Sequence, residues 1–100
     1  MPTKLPNPPK HLSAGSKNLW TAIMEDWHLD DSASQNVLSV TLEARDRAER
    51  CRKQINRDGE LVTDRFGQAK ANPLLSAERD SRSQFLAGLK QLGLEVPSHG

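Results

Sequence analysis

Apolar positions recur at helical spacing in three separate stretches of the chain. Leu12, Leu19, Trp20, Ile23, Met24 and Trp27 fall on one side of a helix, and Ser13 stands where an N-cap is needed. A short helix ending near His28 is predicted, with both tryptophans in the core. Asp30, Asp31 and Ser32 then supply a second set of caps, and no Gly or Pro follows until Gly59. One long helix from about Ser32 to Arg57 is expected. Its seam runs Val37, Thr41, Ala44, Ala48, Cys51, Ile55, in steps of four and three that average about 3.5 residues, and its small side chains would let another helix approach closely. Leu38 and Leu42 widen that apolar face.

The stretch after Gly59 changes character. Leu61, Val62 and Thr63 could make a brief extended piece, and Asp64 to Gly67 reads as a turn able to close a small hairpin. Asn72 and Pro73 mark the next helix start, since proline lacks an N–H that the first turn does not need. That helix carries Leu74, Leu75, Ala77, Phe85, Leu86, Leu89 and Leu92 toward a partner, and ends at Gly93 in a left-handed conformation with Leu94 packing back. Pro97 stops any continuation. The fold class is therefore all-α: a short N-terminal helix plus a long antiparallel helical hairpin, with a loop of short β-hairpin character between the long helices. Three regions follow, a Pro-rich basic arm over 1–12, a helical domain over 13–93 and a short tail over 94–100.

Composition narrows the class. Aromatics are only 4% of 100 residues, a thin core for one domain, so subunit contacts are expected to add stability. Lys plus Arg number 14 against 13 Asp plus Glu, so any nucleic-acid surface must come from patterning rather than net charge. One cysteine forms no internal disulfide, and no apolar run suits a signal peptide or membrane span, which points to an intracellular, reducing setting. Cys51 sits on the helix seam as a small core residue.

Charge on the long helix divides into two groups. Glu43 with Arg47, Asp46 with Arg50 and Glu49 with Lys53 are acid-first pairs four residues apart and read as mutually satisfied. Arg45, Arg52 and Arg57 have no such partner. Arg45 and Arg52 share a face flanking the seam and are candidates for phosphate contacts, or equally for salt bridges to a neighbouring helix. Arg65, Lys70 and the arm residues Lys4 and Lys10 complete the DNA-binding candidates; the arm is either a mobile solvated leader or a basic strap on DNA or a neighbouring subunit. The Trp27 to Ser32 turn is short enough for a helix-turn-helix. The next helix, however, opens with Ala33, Ser34, Gln35 and Asn36 and has no basic residue before Arg45, so backbone contact is expected instead of groove reading.

No enzyme emerges. His11, His28 and His99 lack metal-ligand spacing, no Gly-rich loop cradles phosphate, and no Ser or Cys lies in a nucleophile elbow. His28 is read as a residue interacting with the C-terminal helix dipole. No cofactor or metal is expected.

Gly67-Gln68-Ala69-Lys70-Ala71-Asn72-Pro73, followed by Leu74, Arg79 and Leu89 to Gly93-Leu94, resembles the most recognisable segment of a family of small terminase subunits from tailed bacteriophages. Pro8-Pro9-Lys10-His11-Leu12-Ser13 with Leu19-Trp20 is similar to that family's opening. Glu95 to Gly100 departs from it, lacking the basic tail of longer relatives. The resemblance implies a ring-forming homo-oligomer in genome packaging, with double-stranded viral DNA and the terminase large subunit as partners. The large subunit would hold the ATPase and nuclease, and the small one would act in the host cytoplasm, transiently at the procapsid portal, outside the mature virion. Such a ring would use Val37, Thr41, Ala44, Ala48, Cys51 and Ile55, with Phe85 and Leu89, as its oligomer interface. A small helical transcriptional regulator and a protein-only assembly adaptor are the alternatives.

Overall fold

The computed structural model describes residues 5–94. Lys4, the tail from Glu95 onward and with it Pro97 and His99 lie outside the described residues. Three helices, α1 (Ala14–Trp27), α2 (Ser32–Asp58) and α3 (Leu74–Gln91), carry the chain, and a two-stranded antiparallel sheet of β1 (Leu61–Thr63) and β2 (Ala69–Ala71) joins α2 to α3. The protein is thus mostly helical with a small sheet, rather than purely α.

Each helix starts where a side-chain oxygen meets an orphan N–H. Ser13 Oγ accepts from Ser16 N, Asp31 Oδ2 from Ser34 N and Asn72 Oδ1 from Leu74 N. Pro73, helical in φ and ψ, stands between Asn72 and the first hydrogen-bonded residue of α3. Helix α1 ends on His28 in the left-handed region (φ 49°), whose N–H donates to Met24 O. Helix α3 closes with Gly93 at φ 75°: Gly93 N donates to Lys90 O and Leu94 N to Leu89 O, and Leu94 folds into the core.

That core is Leu12, Trp20, Ile23, Met24, Leu38, Leu42 and Leu94, flanked by Leu5, Leu19, Leu29, Phe85, Leu89 and Leu92. The described part of the arm is therefore held against the body, and Trp20 Nε1 donates to Pro6 O at 3.0 Å. Two apolar residues expected on packing faces are instead exposed. Trp27 is the last residue of α1, where the chain turns away, and Leu86 lies on the outer side of α3.

Helices α2 and α3 pack as an antiparallel pair. Thr41 meets Gly88, Arg47 meets Gln84, Glu49 meets Arg82 and Arg52 meets Glu78, so position advances along one helix as it recedes along the other. The buried positions of α3 are Glu78, Ser81 and Gly88. Opposite them on α2, Thr41, Ala44, Ala48, Cys51 and Ile55 are buried and Val37 is half-buried. The small-residue seam expected to meet another subunit is thus occupied within a single chain, because α3 offers small side chains that allow close approach. Phe85 and Leu89 likewise pack on the chain's own core.

Candidate nucleic-acid interface

The three acid-first pairs predicted along α2 do not form. Glu43 Oε2 lies 2.7 Å from His11 Nε2. Asp46 turns to the N-terminus of α1, where Oδ2 accepts from Ser13 N at 2.8 Å and Oδ1 accepts from both Ser13 Oγ and Ser16 Oγ at 2.6 Å. Glu49 faces Arg82 at 3.7 Å. In each case a tertiary partner replaces the helical one, since a fixed or partly buried donor outcompetes an exposed pair worth only about 0.2–0.5 kcal/mol.

Asp46 shows the strength of this preference. Burial pushes its carboxyl up, but the hydroxyls of Ser13 and Ser16, the Ser13 N–H and the nearby Arg45 charge together hold it below the usual carboxylate range. A carboxylate at a helix N-terminus also faces the positive end of that helix's dipole. Asp46 thereby ties α1 to α2.

With Asp46 buried and Glu43 and Glu49 engaged by other elements, the cations that follow them in sequence are left without these partners. Arg47, Arg50, Lys53 and Arg57 are all exposed and recur in steps of three, three and four, one stripe along α2. Arg47 Nη1 donates to Gln84 Oε1 at 3.3 Å, while among the described residues Arg50, Lys53 and Arg57 form no ion pair. The stripe spans about 15 Å of helix, the axial rise of about four base pairs. Its edge runs into a cleft of about 280 Å³ lined by His11, Glu43, Asp46, Arg47 and Arg50.

The DNA-binding candidates read from the sequence fare differently. Arg45 lies over Gly15, donates to Ser16 Oγ at 3.2 Å and sits 3.8 Å from Asp46. Arg52 grips Glu78 through two bonds, Nε to Oε2 at 2.8 Å and Nη2 to Oε1 at 2.5 Å, with Nη1 3.4 Å from Asn56 Oδ1. Its hydrogen bond to Glu78 raises Arg52 and lowers Glu78 relative to their ordinary values, and Arg82 adds a second donor to the same carboxylate. Arg52 is thus paired with a carboxylate of the neighbouring helix α3, whereas Arg45 reaches α1 only through the Ser16 hydroxyl and has Asp46 of its own helix as its acidic neighbour; both guanidinium groups are half-buried. Arg57, Lys10, Arg65 and Lys70 remain exposed, Arg65 over the Phe66 ring at 4.9 Å, and Lys4 lies outside the described residues.

Arg47, Arg50 and Lys53 read as paired in the sequence and so escape notice there. Their common spacing with Arg57 is readable; what hides the stripe is the assumption that the nearest acid in sequence is the nearest in space. Among the described residues no group of three or more His, Cys, Asp or Glu side chains is placed to hold a metal ion, and no helix is long and apolar enough to cross a membrane.

A family model described as phage terminase, small subunit, matches residues 16–99. No curated protein and no solved structure matches the chain.

Proposed function

The chain belongs to the phage terminase small-subunit family, and from that premise we propose that it serves packaging by binding the viral duplex along the outer stripe of α2 and bringing the large subunit to it. The observation that carries the DNA reading is that Glu43, Asp46 and Glu49 are engaged by His11, by Ser13 with Ser16, and by Arg82, which leaves Arg47, Arg50, Lys53 and Arg57 exposed on one side without these acids as ion-pair partners. Such a stripe suits phosphates rather than base edges: it is a row of long cationic side chains, and the first turns of α2 hold Ser32, Ala33, Ser34 and Gln35 without a cation. One stripe gives few contacts and weak binding. Identical copies around a ring would repeat it, and retention of DNA would come from the number of stripes engaged at once.

In this reading the chain is the non-catalytic component, and cleavage and ATP hydrolysis belong to the large subunit. The test is reconstitution. Packaging of concatemeric DNA into procapsids by the large subunit should rise when this chain is added. The variant carrying Arg50→Ala, Lys53→Ala and Arg57→Ala should keep its helical circular dichroism and lose that stimulation. Unchanged stimulation by the variant would remove any role for the stripe, and absence of stimulation by the unmodified chain would remove the packaging role proposed for it.

A further inference from the structure

Among the described residues, the α2–α3 pair leaves a groove beside its packed seam toward one end and an unpacked prong at the other. The groove, about 360 Å³, is walled by Val37, Val40, Ala44 and Ala87 over a floor of Thr41 and Gly88, and Val40 is 56% exposed there. The prong is the β1–β2 hairpin. Leu61 pairs with Ala71, Val62 with Lys70 and Thr63 with Ala69, which puts Leu61, Thr63, Ala69 and Ala71 on one uncharged face, all exposed. Phe66 at the tip is 74% exposed and Leu61 69%.

The prong is built stiffly for something that touches so little. Asp64 Oδ1 accepts from Phe66 N and Gln68 N, Gly67 N donates to Asp64 O, and Gly67 takes φ 81°. Its root is fastened by buried Asn72, whose backbone N–H donates to Glu60 O and whose Nδ2 donates to Gly59 O. The hairpin makes no extensive contact with any helix. An isolated two-stranded hairpin is at best marginally stable in water, so a fixed prong with an aromatic tip and a bare apolar face calls for a cover.

The prong cannot reach the groove of its own chain. Val40 and Asp58 stand about 27 Å apart along α2, whereas the prong from Glu60 to Phe66 reaches about 20 Å even when fully extended. We propose that the Phe66 prong of one copy seats in the Val40–Gly88 groove of a second copy, a head-to-tail contact in which every chain gives one prong and receives one. This rests on the reading that the chain assembles with copies of itself.

Charge agrees with the pairing. The groove's lining holds Arg47 and no acid, and although Arg65 and Lys70 balance Glu60 and Asp64 on the prong, both turn bonds of Asp64 go to Oδ1, leaving Oδ2 for a cation. Asn36, Gln84 and Gln91 on the groove rim offer amide oxygens to Arg65. Aromatic side chains bury about 150–250 Å² each, so Phe66, 74% exposed, contributes on the order of 150 Å² from one side and Leu61 less, well short of the roughly 800 Å² per partner of a stable pairwise complex. One such contact holds two copies weakly. A closed ring, where each chain is held at both ends, holds them firmly.

The experiment is cross-linking of the full chain, with native mass measured in parallel. Val40→Cys with Phe66→Cys in one chain should give, on mild oxidation, a ladder of covalent multimers on a denaturing gel. The two single variants mixed together should give dimers, and each alone should not. Because both sites are exposed, the variants keep the fold, and Phe66→Glu should shift the native mass to that of one chain. An assembled wild type whose double-cysteine variant gives no ladder, or whose mass survives Phe66→Glu, overturns the prong-in-groove contact while leaving assembly intact. A wild type monomeric by native mass overturns assembly and this contact together.

Discussion

Gly88→Ala puts the helix contact to its sharpest test, because two effects of known sign oppose each other. In an exposed helix interior the change gains about 1 kcal/mol from helix propensity. At position 88, however, the added Cβ would overlap Thr41 Oγ1 and stand 2.8 Å from both Thr41 Cβ and Cγ2. Rotation of the threonine cannot relieve this, since its Cβ does not move with χ1, so α2 and α3 must part. Overpacking of this kind costs about 1–3 kcal/mol, occasionally more. A net loss of up to about 2 kcal/mol follows, or a fall of up to roughly 15 °C in melting temperature for a chain this size. Urea unfolding followed by far-ultraviolet circular dichroism at fixed protein concentration reads it directly. In a Thr41→Ala background, where Oγ1 and Cγ2 are gone, the cost of Ala at position 88 should shrink by about 1 kcal/mol in a double-mutant cycle. A Gly88→Ala chain more stable than wild type would refute the packing argument, leaving propensity as the larger effect.

Asp46→Ala should cost about 1–3 kcal/mol, because the Ser13 N–H and the hydroxyls of Ser13 and Ser16 lose a shared acceptor near the core. The same carboxylate sets an acid limb. Its folded value lies below its unfolded one, so its stabilisation is present above about pH 4 and is lost as pH falls through the depressed folded value. The alanine variant should lose less of its remaining stability than wild type on acidification below about pH 4; parallel limbs would contradict this. Asn72→Ala removes the α3 cap and the tie to Gly59 O, and a loss of about 1–2 kcal/mol in urea is expected. A loss within a few tenths of a kcal/mol of zero would show that the junction is held elsewhere.

Features governed by neighbouring residues were legible in the sequence. Ser13, the Asp30 to Ser32 cap group, Asn72 with Pro73, and Gly93 with Leu94 mark helix ends because capping is settled within a few residues of chain. The Asp64–Gly67 turn was legible for the same reason, although Ala69-Lys70-Ala71 has little strand propensity and pairs only because that turn and the Glu60–Asn72 bond hold it in register. Features decided by tertiary partners were not legible. Glu78, Ser81 and Gly88 form the buried side of α3 without a hydrophobic signature, because what suits the contact is small volume and, for Glu78, two arginines. Arg45 and Arg52 read as free cations because Ser16 and Glu78, which hold them, lie at least 26 residues away in sequence. The outward stripe of α2 was hidden for the converse reason, since the groups that draw its neighbouring acids away, His11, Ser13, Ser16 and Arg82, belong to other elements.

The salt dependence of duplex retention, compared between the outward stripe and the committed arginines, bears on DNA binding more closely than any other measurement. Every phosphate that a variant no longer neutralises should reduce the log–log slope by about 0.9. Arg50→Ala, Lys53→Ala and Arg57→Ala together should therefore flatten the slope and weaken retention at every salt concentration, with unfolding midpoints close to wild type. Arg45→Ala with Arg52→Ala should instead lower the unfolding midpoint and leave the slope of the folded protein near the wild-type value. The opposite pattern, in which retention falls with Arg45 and Arg52 and is untouched by the stripe, would mean that the duplex is held elsewhere than along the outside of α2.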